Sequence, residues 1–446
     1  MNFNERFLII TKIILPIVGE PIQNSGLIVN NGQIEEIIPN LSDYQELKAL
    51  PEKILKFPNS ILMPGLINLH THLDYSLIKL KSQKLFDWIK DLVVVSRKYS
   101  QEDFIQANYE GFKQAILTGT TTIVDCSYTG NSYKPMVDFG TKSIIALEIF
   151  GIDPNASKAT FETFKGKIEA IQAKIKAIDP AGLDNITLTI SPHAIYTVGL
   201  KLWRLARNWC KENNTILVSH LSESRHEIDW CMDNDLTLDE HLTRAFNLPN
   251  DYQFDSNNLA RQSGLSPLQY LSQHNLVDGQ ILFAHGVHLN NEDVAIIKEK
   301  NLKLAICPRS NKHLKVGNFK RGYLSEVQYG LGTDSLASNH DLDMLKEANH
   351  FAKNIGTRAK LKPIDVLKAI TINAAKYLNL GDCIGSIEVG KRADFILLDR
   401  LNEDTKSTLT SDDANRLYKD ILDLKYSVSN VFIAGRQVVA GRKVNI

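Results

Sequence analysis

Two histidines spaced i, i+2, His70 and His72, follow the apolar run Leu66-Ile67-Asn68-Leu69. Successive strand side chains point to opposite faces, so these two imidazoles share a face. A pair of imidazoles at a strand end can hold a metal ion, but two ligands do not close a site, and a bare pair also fits two unrelated polar loop residues. Other apolar runs end in the same chemistry. His220 closes Thr215–Ser219, with Glu223 three residues on. His285 closes Ile281–Ala284, Asp334 follows Gly330–Thr333, and Pro192-His193 follows Thr187–Ser191. Each of these alone is more often a hydrogen-bonded structural histidine or a helix cap. Their joint recurrence at strand ends points to one shared site.

The elements that would position them alternate in type. Strand-like runs lie at Ile61–Leu69, Thr121–Cys126, Ser143–Ile149, Ile186–Ser191, Ile216–His220, Ile281–His285, Lys303–Cys307 and Tyr329–Thr333. Amphipathic stretches between them predict helices over Asp103–Leu117, Ala159–Ala177, Lys201–Asn213, Arg225–Asn234, Pro267–His274 and Asn291–Lys300. Strand and helix alternating in this number predict an α/β fold, a (β/α)8 TIM barrel, whose strand C-termini converge on one mouth. An open doubly wound sheet is the alternative. No G-x-G-x-x-G or P-loop follows the first strand, which weighs against it.

A catalytic zinc site has three or more nitrogen or oxygen ligands and one open position. His70, His72, His220 and Asp334 meet that description. The fourth strand ends without a lysine that could be carbamylated to bridge two ions, so one ion is expected, Zn2+ or Fe2+. Such an ion lowers the pKa of a coordinated water from 15.7 to about 7.

Residues 1–60 and 380–446 read as short strands and predict a composite β-domain, with 61–379 as the barrel. Within the first part, Ser25–Val29 and Ile34–Ile38 flank Asn30-Asn31-Gly32, a hairpin signal. Leu41–Leu50 reads as loop or weak helix, and the charged Arg400–Asp423 as an exposed insertion. A helix is expected over Pro363–Tyr377. Leu236–Gln269 could form a lid carrying Asp239 and His241.

Lys+Arg and Asp+Glu are both 51, so no charge excess suggests nucleic acid or an acidic membrane surface as a partner. The cysteines 126, 210, 231, 307 and 383 are scattered without a C-x-x-C pair, as expected in a reducing compartment. Phe7–Val18 is apolar but is interrupted by Lys12 and Pro16, and no small-residue cleavage site follows. No run reaches the roughly 20 apolar residues of a membrane span. A soluble, cytoplasmic protein is the expectation.

Several segments together carry a resemblance. They are Pro64-Gly65-Leu66-Ile67-Asn68-Leu69-His70-Thr71-His72, Ser219-His220-Leu221-Ser222-Glu223-Ser224, Ala284-His285-Gly286-Val287-His288-Leu289, Cys307-Pro308-Arg309-Ser310-Asn311, Gly332-Thr333-Asp334-Ser335 and Ile384–Asp394. In this order they are similar to the deaminase and chlorohydrolase branch of the amidohydrolase superfamily, along nearly the whole chain. The resemblance implies a metal-bearing barrel with a β-domain built from both termini. It makes His70, His72, His220 and Asp334 ligands of one Zn2+, less often Fe2+. It makes Glu223 the proton shuttle, since zinc deaminases use a non-ligand Glu for this task. His285 becomes the histidine acting on the attacking water, with His288 a competitor beyond the strand end. His193 becomes a substrate contact. Asp334 would also accept a proton from the attacking water.

Within the branch the loops are most like those of aminodeoxyfutalosine deaminases of the alternative menaquinone route. The carrying features are Cys307–Asn311, Asp334-Ser335-Leu336-Ala337-Ser338-Asn339, and His72–Ser76 with Phe86-Asp87-Trp88. Arg309, Asn311 and Ser335 are then expected to contact substrate. Arg309 could pair with a carboxylate, or serve only in an ion pair or cap. Trp88 could stack on a ring or simply pack a helix. S-adenosylhomocysteine or methylthioadenosine deaminase and guanine- or triazine-type hydrolases stay open, as does a catalytically dead barrel scaffold. The expected partner is a small-molecule substrate. Homodimers are common among such barrels, though no stretch of this chain demonstrates one.

Overall fold

The computed structural model describes residues 5–41, 51–232, 237–249, 251–356, 361–401 and 414–445. Strands β1 (Arg6–Ile14), β2 (Ile22–Asn30), β3 (Gln33–Ile38) and β4 (Lys53–Pro64) come first. Next come β5 (Leu66–Thr71), β6 (Thr120–Ser127), β7 (Ser143–Ile149) and β8 (Ile186–Pro192). They are followed by β9 (Leu217–Leu221), β10 (Ile281–His285), β11 (Lys303–Ile306) and β12 (Gln328–Leu331). The chain closes with β13 (Phe395–Arg400), β14 (Tyr426–Ile433), β15 (Arg436–Ala440) and β16 (Lys443–Val444).

Strands β5 to β8 pair in parallel, as do β9 to β12. Two seams join these halves. At one, the His220 N–H donates to the His193 carbonyl (3.0 Å) and Thr189 Oγ1 donates to the Ile216 carbonyl. At the other, the Asp334 N–H donates to the His70 carbonyl (2.9 Å) and Asn68 Nδ2 to Thr333 Oγ1 (2.7 Å). The architecture is the expected (β/α)8 barrel. Both seams carry site residues, so closing the barrel also assembles the site. The barrel floor is apolar: Val124, Ile144, Val218, Leu282 and Ala305 pack with Ala374 and Ala375 of the helix Ile372–Tyr377.

The terminal strands form one sheet in the order β16-β15-β14-β13-β4-β1-β2-β3. All its pairs are antiparallel except β1 with β4. The hairpin at Asn30-Asn31-Gly32 forms as expected, with Asn31 and Gly32 both at positive φ. Ile61–Pro64, read above as the start of the first barrel strand, instead pairs with β13 in this sheet. Gly65 is the break. A Cβ there would lie 2.1 Å from Thr121 Oγ1, so only glycine lets the chain cross from one sheet to the other against β6.

Other differences are local. The expected helix over Pro363–Tyr377 is two helices, Pro363–Ala369 and Ile372–Tyr377, which meet at Ile370-Thr371. Part of the expected insertion after Arg400 is the helix Ala414–Leu422, which buries Leu417, Tyr418, Ile421 and Leu422 against the barrel core. Apart from the buried Asp420, which pairs with Lys425, its charges lie outside that apolar stripe, which is why composition alone suggested a loop. Residues 402–413 lie outside the described residues, as does most of Leu41–Leu50. No helix among the described residues is long and apolar enough to cross a membrane.

Candidate active site

His220 sits on the inward face of β9 two residues beyond Val218, which packs in the barrel floor. His70 lies near the end of β5, where pairing with β6 loses register between Asn68 and Thr71, and His72 stands just beyond. Simple strand alternation does not describe this irregular segment, yet the imidazoles converge. His72 Nε2 is 3.2 Å from His220 Nε2. His70, His72 and His220 each offer a nitrogen within 4.8 Å of the others. Asp334 Oδ1 is 3.9 Å from His70 Nε2 and 3.8 Å from His72 Nε2. Ligands each about 2.1 Å from one ion stand no more than about 4.2 Å apart, so these separations suit a shared cation.

The donor chemistry agrees with the spacing. His70 Nε2 is buried without a hydrogen-bond partner. Such a nitrogen costs stability unless something occupies its lone pair. The His220 Nδ1 side is held by the His193 carbonyl at 2.8 Å, which directs Nε2 inward. Burial, reinforced by the neighbouring histidines, holds His70 well below the usual imidazole range. Burial likewise pushes His72 down to about 3, against the opposing pull of Asp334. Both rings are therefore neutral and able to ligate. The residues present fit a metal ion.

Opposite them lies an acid–base pair. Glu223 Oε1 is 3.6 Å from His285 Nε2. Burial raises the Glu223 carboxyl to about 8, with His220 opposing and Asp334 adding to the rise. The turn that aims Glu223 has Ser222 at φ 49° and is held by Glu227, whose carboxylate accepts the Ser222 and Glu223 N–H groups at 3.0 and 2.8 Å. Sequence reasoning missed Glu227; its only signal is the i, i+4 spacing from Glu223. His285 sits at φ 71° and Asp334 at φ 61°, so both backbones are in the left-handed region at the site itself.

The remaining expected contacts have the following surroundings. His193 is half-buried and stacks on Phe150 at 4.8 Å, beside His220. Arg309 Nη1 is bonded to Asp341 at 2.8 Å and lies 3.6 Å from Glu347 Oε2, so of the two alternatives it takes the ion pair. Asn311 Oδ1 lies 2.9 Å from His285 Nδ1. Ser335 is buried, its N–H donating to Asp334 Oδ1 at 2.7 Å and its hydroxyl paired with Ser338. Trp88 packs with Ile78, Leu85 and Leu314 and donates to the Ala337 carbonyl, which is the packing alternative. His288 turns away, 2.8 Å from the Val316 carbonyl, leaving His285 as the strand-end group.

Two further residues near the site were given no role from the sequence, although Ser310 lies within the Cys307–Asn311 segment quoted above. Ser310 Oγ donates to Asp334 Oδ2 at 2.6 Å. Glu148, at the end of β7, is buried with Oε1 3.9 Å from His72 Nδ1. In the segment read as a lid, Asp239 accepts from Trp230 Nε1 (2.7 Å) and pairs with Arg261, while His241 stacks on Phe86 at 5.0 Å. Asp239 thus pins that segment and does not face the histidine cluster.

Residues 61–438 match the Amidohydrolase family. A 5-methylthioadenosine/S-adenosylhomocysteine deaminase of Thermodesulfovibrio yellowstonii is 28% identical over 398 residues, covering 85% of this chain and 81% of that protein. The fold is similar to that of an adenosine deaminase from Xanthomonas campestris with bound zinc, at TM-score 0.80 and 23% identity, covering 99% of this chain and 94% of the other. It is also similar to Helicobacter pylori aminofutalosine deaminase, at TM-score 0.77 and 19% identity, covering 97% and 100%.

Proposed function

Since the chain belongs to the amidohydrolase family and is a hydrolase of non-peptide carbon–nitrogen bonds, we propose that it deaminates a 6-aminopurine nucleoside carrying a modified 5′ position. The observation that carries this reading is Glu223, a buried carboxyl that faces His285 beside the three histidines and Asp334. A hydrolytic deaminase needs a non-ligand acid in that position, because the ring nitrogen must gain a proton as water adds and the amino group must gain one as it leaves.

We assign His70, His72, His220 and Asp334 as the residues that would hold one Zn2+, or Fe2+. When bound, the ion would supply Lewis acidity and make water nucleophilic at neutral pH. Glu223, held protonated by burial, donates to the ring nitrogen beside the carbon under attack. Asp334 accepts a proton from the attacking water. His285 Nε2 accepts a hydrogen bond from the same water and so orients it. The proton taken by Asp334 then leaves with the departing ammonia, and the hydroxyl on the ring carbon returns its proton to Glu223 as the carbonyl forms. His193, stacked on Phe150 at the mouth, offers a planar surface and a ring nitrogen to the purine.

The modified 5′ position rests on the names of the relatives, methylthioadenosine/S-adenosylhomocysteine deaminases. Aminodeoxyfutalosine belongs to the same chemical class. The support that Arg309 lent to a carboxylate-bearing substrate falls away with its engagement by Asp341. The test is ammonia release by metal-reconstituted protein from methylthioadenosine, S-adenosylhomocysteine, aminodeoxyfutalosine, adenosine and guanine. A 5′-modified adenosine is expected to exceed adenosine and guanine in kcat/KM by about tenfold or more, the scale a dedicated pocket supplies. Activity on guanine alone would overturn the reading.

A further inference from the structure

We infer that Ser310 and Asn311 are positioning residues, a two-pronged brace that holds Asp334 and His285 in register, and that Asn311 is not a substrate contact. The inference rests on the deaminase reading above. Both residues lie on the short helix Pro308–His313, which follows β11 directly. In the sheet β11 stands between β10 and β12, which end at His285 and just before Asp334. Consecutive helical side chains diverge by about 100°, so neighbouring residues on this helix can reach the two flanking strand ends. Ser310 Oγ donates to Asp334 Oδ2 at 2.6 Å, while Asn311 Oδ1 meets His285 Nδ1 at 2.9 Å. Both braces are fully buried.

The Asn311 contact has a chemical consequence. A carbonyl oxygen can only accept, so the His285 proton is placed on Nδ1. Nε2, which faces Glu223 at 3.6 Å, is left with its lone pair. His285 is thereby a hydrogen-bond acceptor toward the reaction centre. The opposite tautomer would present an N–H there and compete with Glu223 as donor. The brace is itself anchored. The Arg309 N–H donates to Glu347 Oε1 at 2.8 Å, and Asn339 Nδ2 donates to Glu347 Oε2 at 3.2 Å. Arg309 Nη1 then ties the same turn to Asp341. His285 and Asp334 both sit in the left-handed region, a strained backbone that persists only where surrounding contacts over-determine it, and these hydrogen bonds are among those contacts.

The test compares Asn311→Leu, Asn311→Asp and Ser310→Ala in metal-loaded protein. For Asn311→Leu, kcat is expected to fall by about 100-fold with KM and metal content unchanged, the pattern of an interaction made to the machinery and not to the ground-state substrate. Asn311→Asp, which keeps the acceptor oxygen, should recover at least about tenfold of that loss, and Ser310→Ala should lose about tenfold. Ring 15N shifts of labelled histidine give a readout independent of activity: His285 should show protonated Nδ1 in the parent and lose that state in Asn311→Leu. A KM that rises as much as kcat falls would make Asn311 a substrate contact and overturn the proposal. So would kcat within twofold of the parent, or an unchanged His285 tautomer. Should the parent deaminate none of the nucleosides, the function reading fails while the tautomer result still judges the brace.

Discussion

Single residues here are held by partners that determine what they can do. His70 keeps a bare, buried Nε2 while His220 is held through its other nitrogen by a backbone carbonyl, so both present lone pairs inward. Glu223 is kept protonated by burial, whereas Asp341, nearby in sequence to Asp334, shows the opposite balance. Burial would raise the Asp341 carboxyl, but the hydrogen bond and charge of Arg309, with Lys346 beside it, hold it below the ordinary range. The sign follows: a depressed carboxyl stabilises the fold above its unfolded pKa, near 3.9, and that contribution is lost as pH falls through the lower folded value. Asp341→Asn should therefore lower Tm at pH 7, and the gap from the parent should narrow in thermal melts as pH drops below about 4. A gap that widened at low pH would contradict the pairing.

At the scale of elements, the site depends on how closely strands approach. Gly332 sits where β12 gives way to Asp334, against His70. A Cβ there would lie 2.7 Å from His70 Cβ and 2.9 Å from its backbone nitrogen. Gly332→Ala must push β5 and the Asp334 segment apart, an overpacking cost of about 1–3 kcal/mol. Metal content and kcat should fall together in this variant, unlike Asn311→Leu, where metal content stays. Metal analysis beside turnover separates the two. Loss of turnover with full metal content in Gly332→Ala would show that the close approach matters for something other than ligand spacing. Legibility in the sequence divided along the same line. His70, His72, His220, His285 and Asp334 were readable because each ends an apolar run, and a barrel gathers strand ends. The roles of Ser310, Glu227 and Glu148 were not, because one hydroxyl or carboxyl on a short helix or at a strand end carries no periodic signal until its partner is placed. Arg309, Asn311 and Ser335 were noticed by motif, but sequence could not say whether their side chains face the mouth or their neighbours.

For the whole molecule, the eight-strand alternation made the barrel readable, and the return of strand-like runs after residue 380 made the terminal sheet readable. What sequence alone could not resolve was the hand-over between them. Ile61–Leu69 is apolar on both sides of Pro64-Gly65, which reads as a turn or bulge within one strand, and the pairing of Ile61–Pro64 with β13 and the Gly65 contact with Thr121 show that it serves two sheets. The helix Ala414–Leu422 was hidden for a related reason, its buried face being visible only once the barrel surface it covers is known. The joining of the two halves across His70–Asp334 and His193–His220 makes site assembly a property of the closed barrel. The proposed metal-dependent deamination rests on a proton carried by Glu223. The most direct measurement is paired metal analysis and ammonia release for the parent and Glu223→Gln, both reconstituted with Zn2+. One ion per chain is expected in both, with a fall in kcat of about 1,000-fold in the variant, within the range of a lost general acid. Turnover near that of the parent with the ion retained would contradict it.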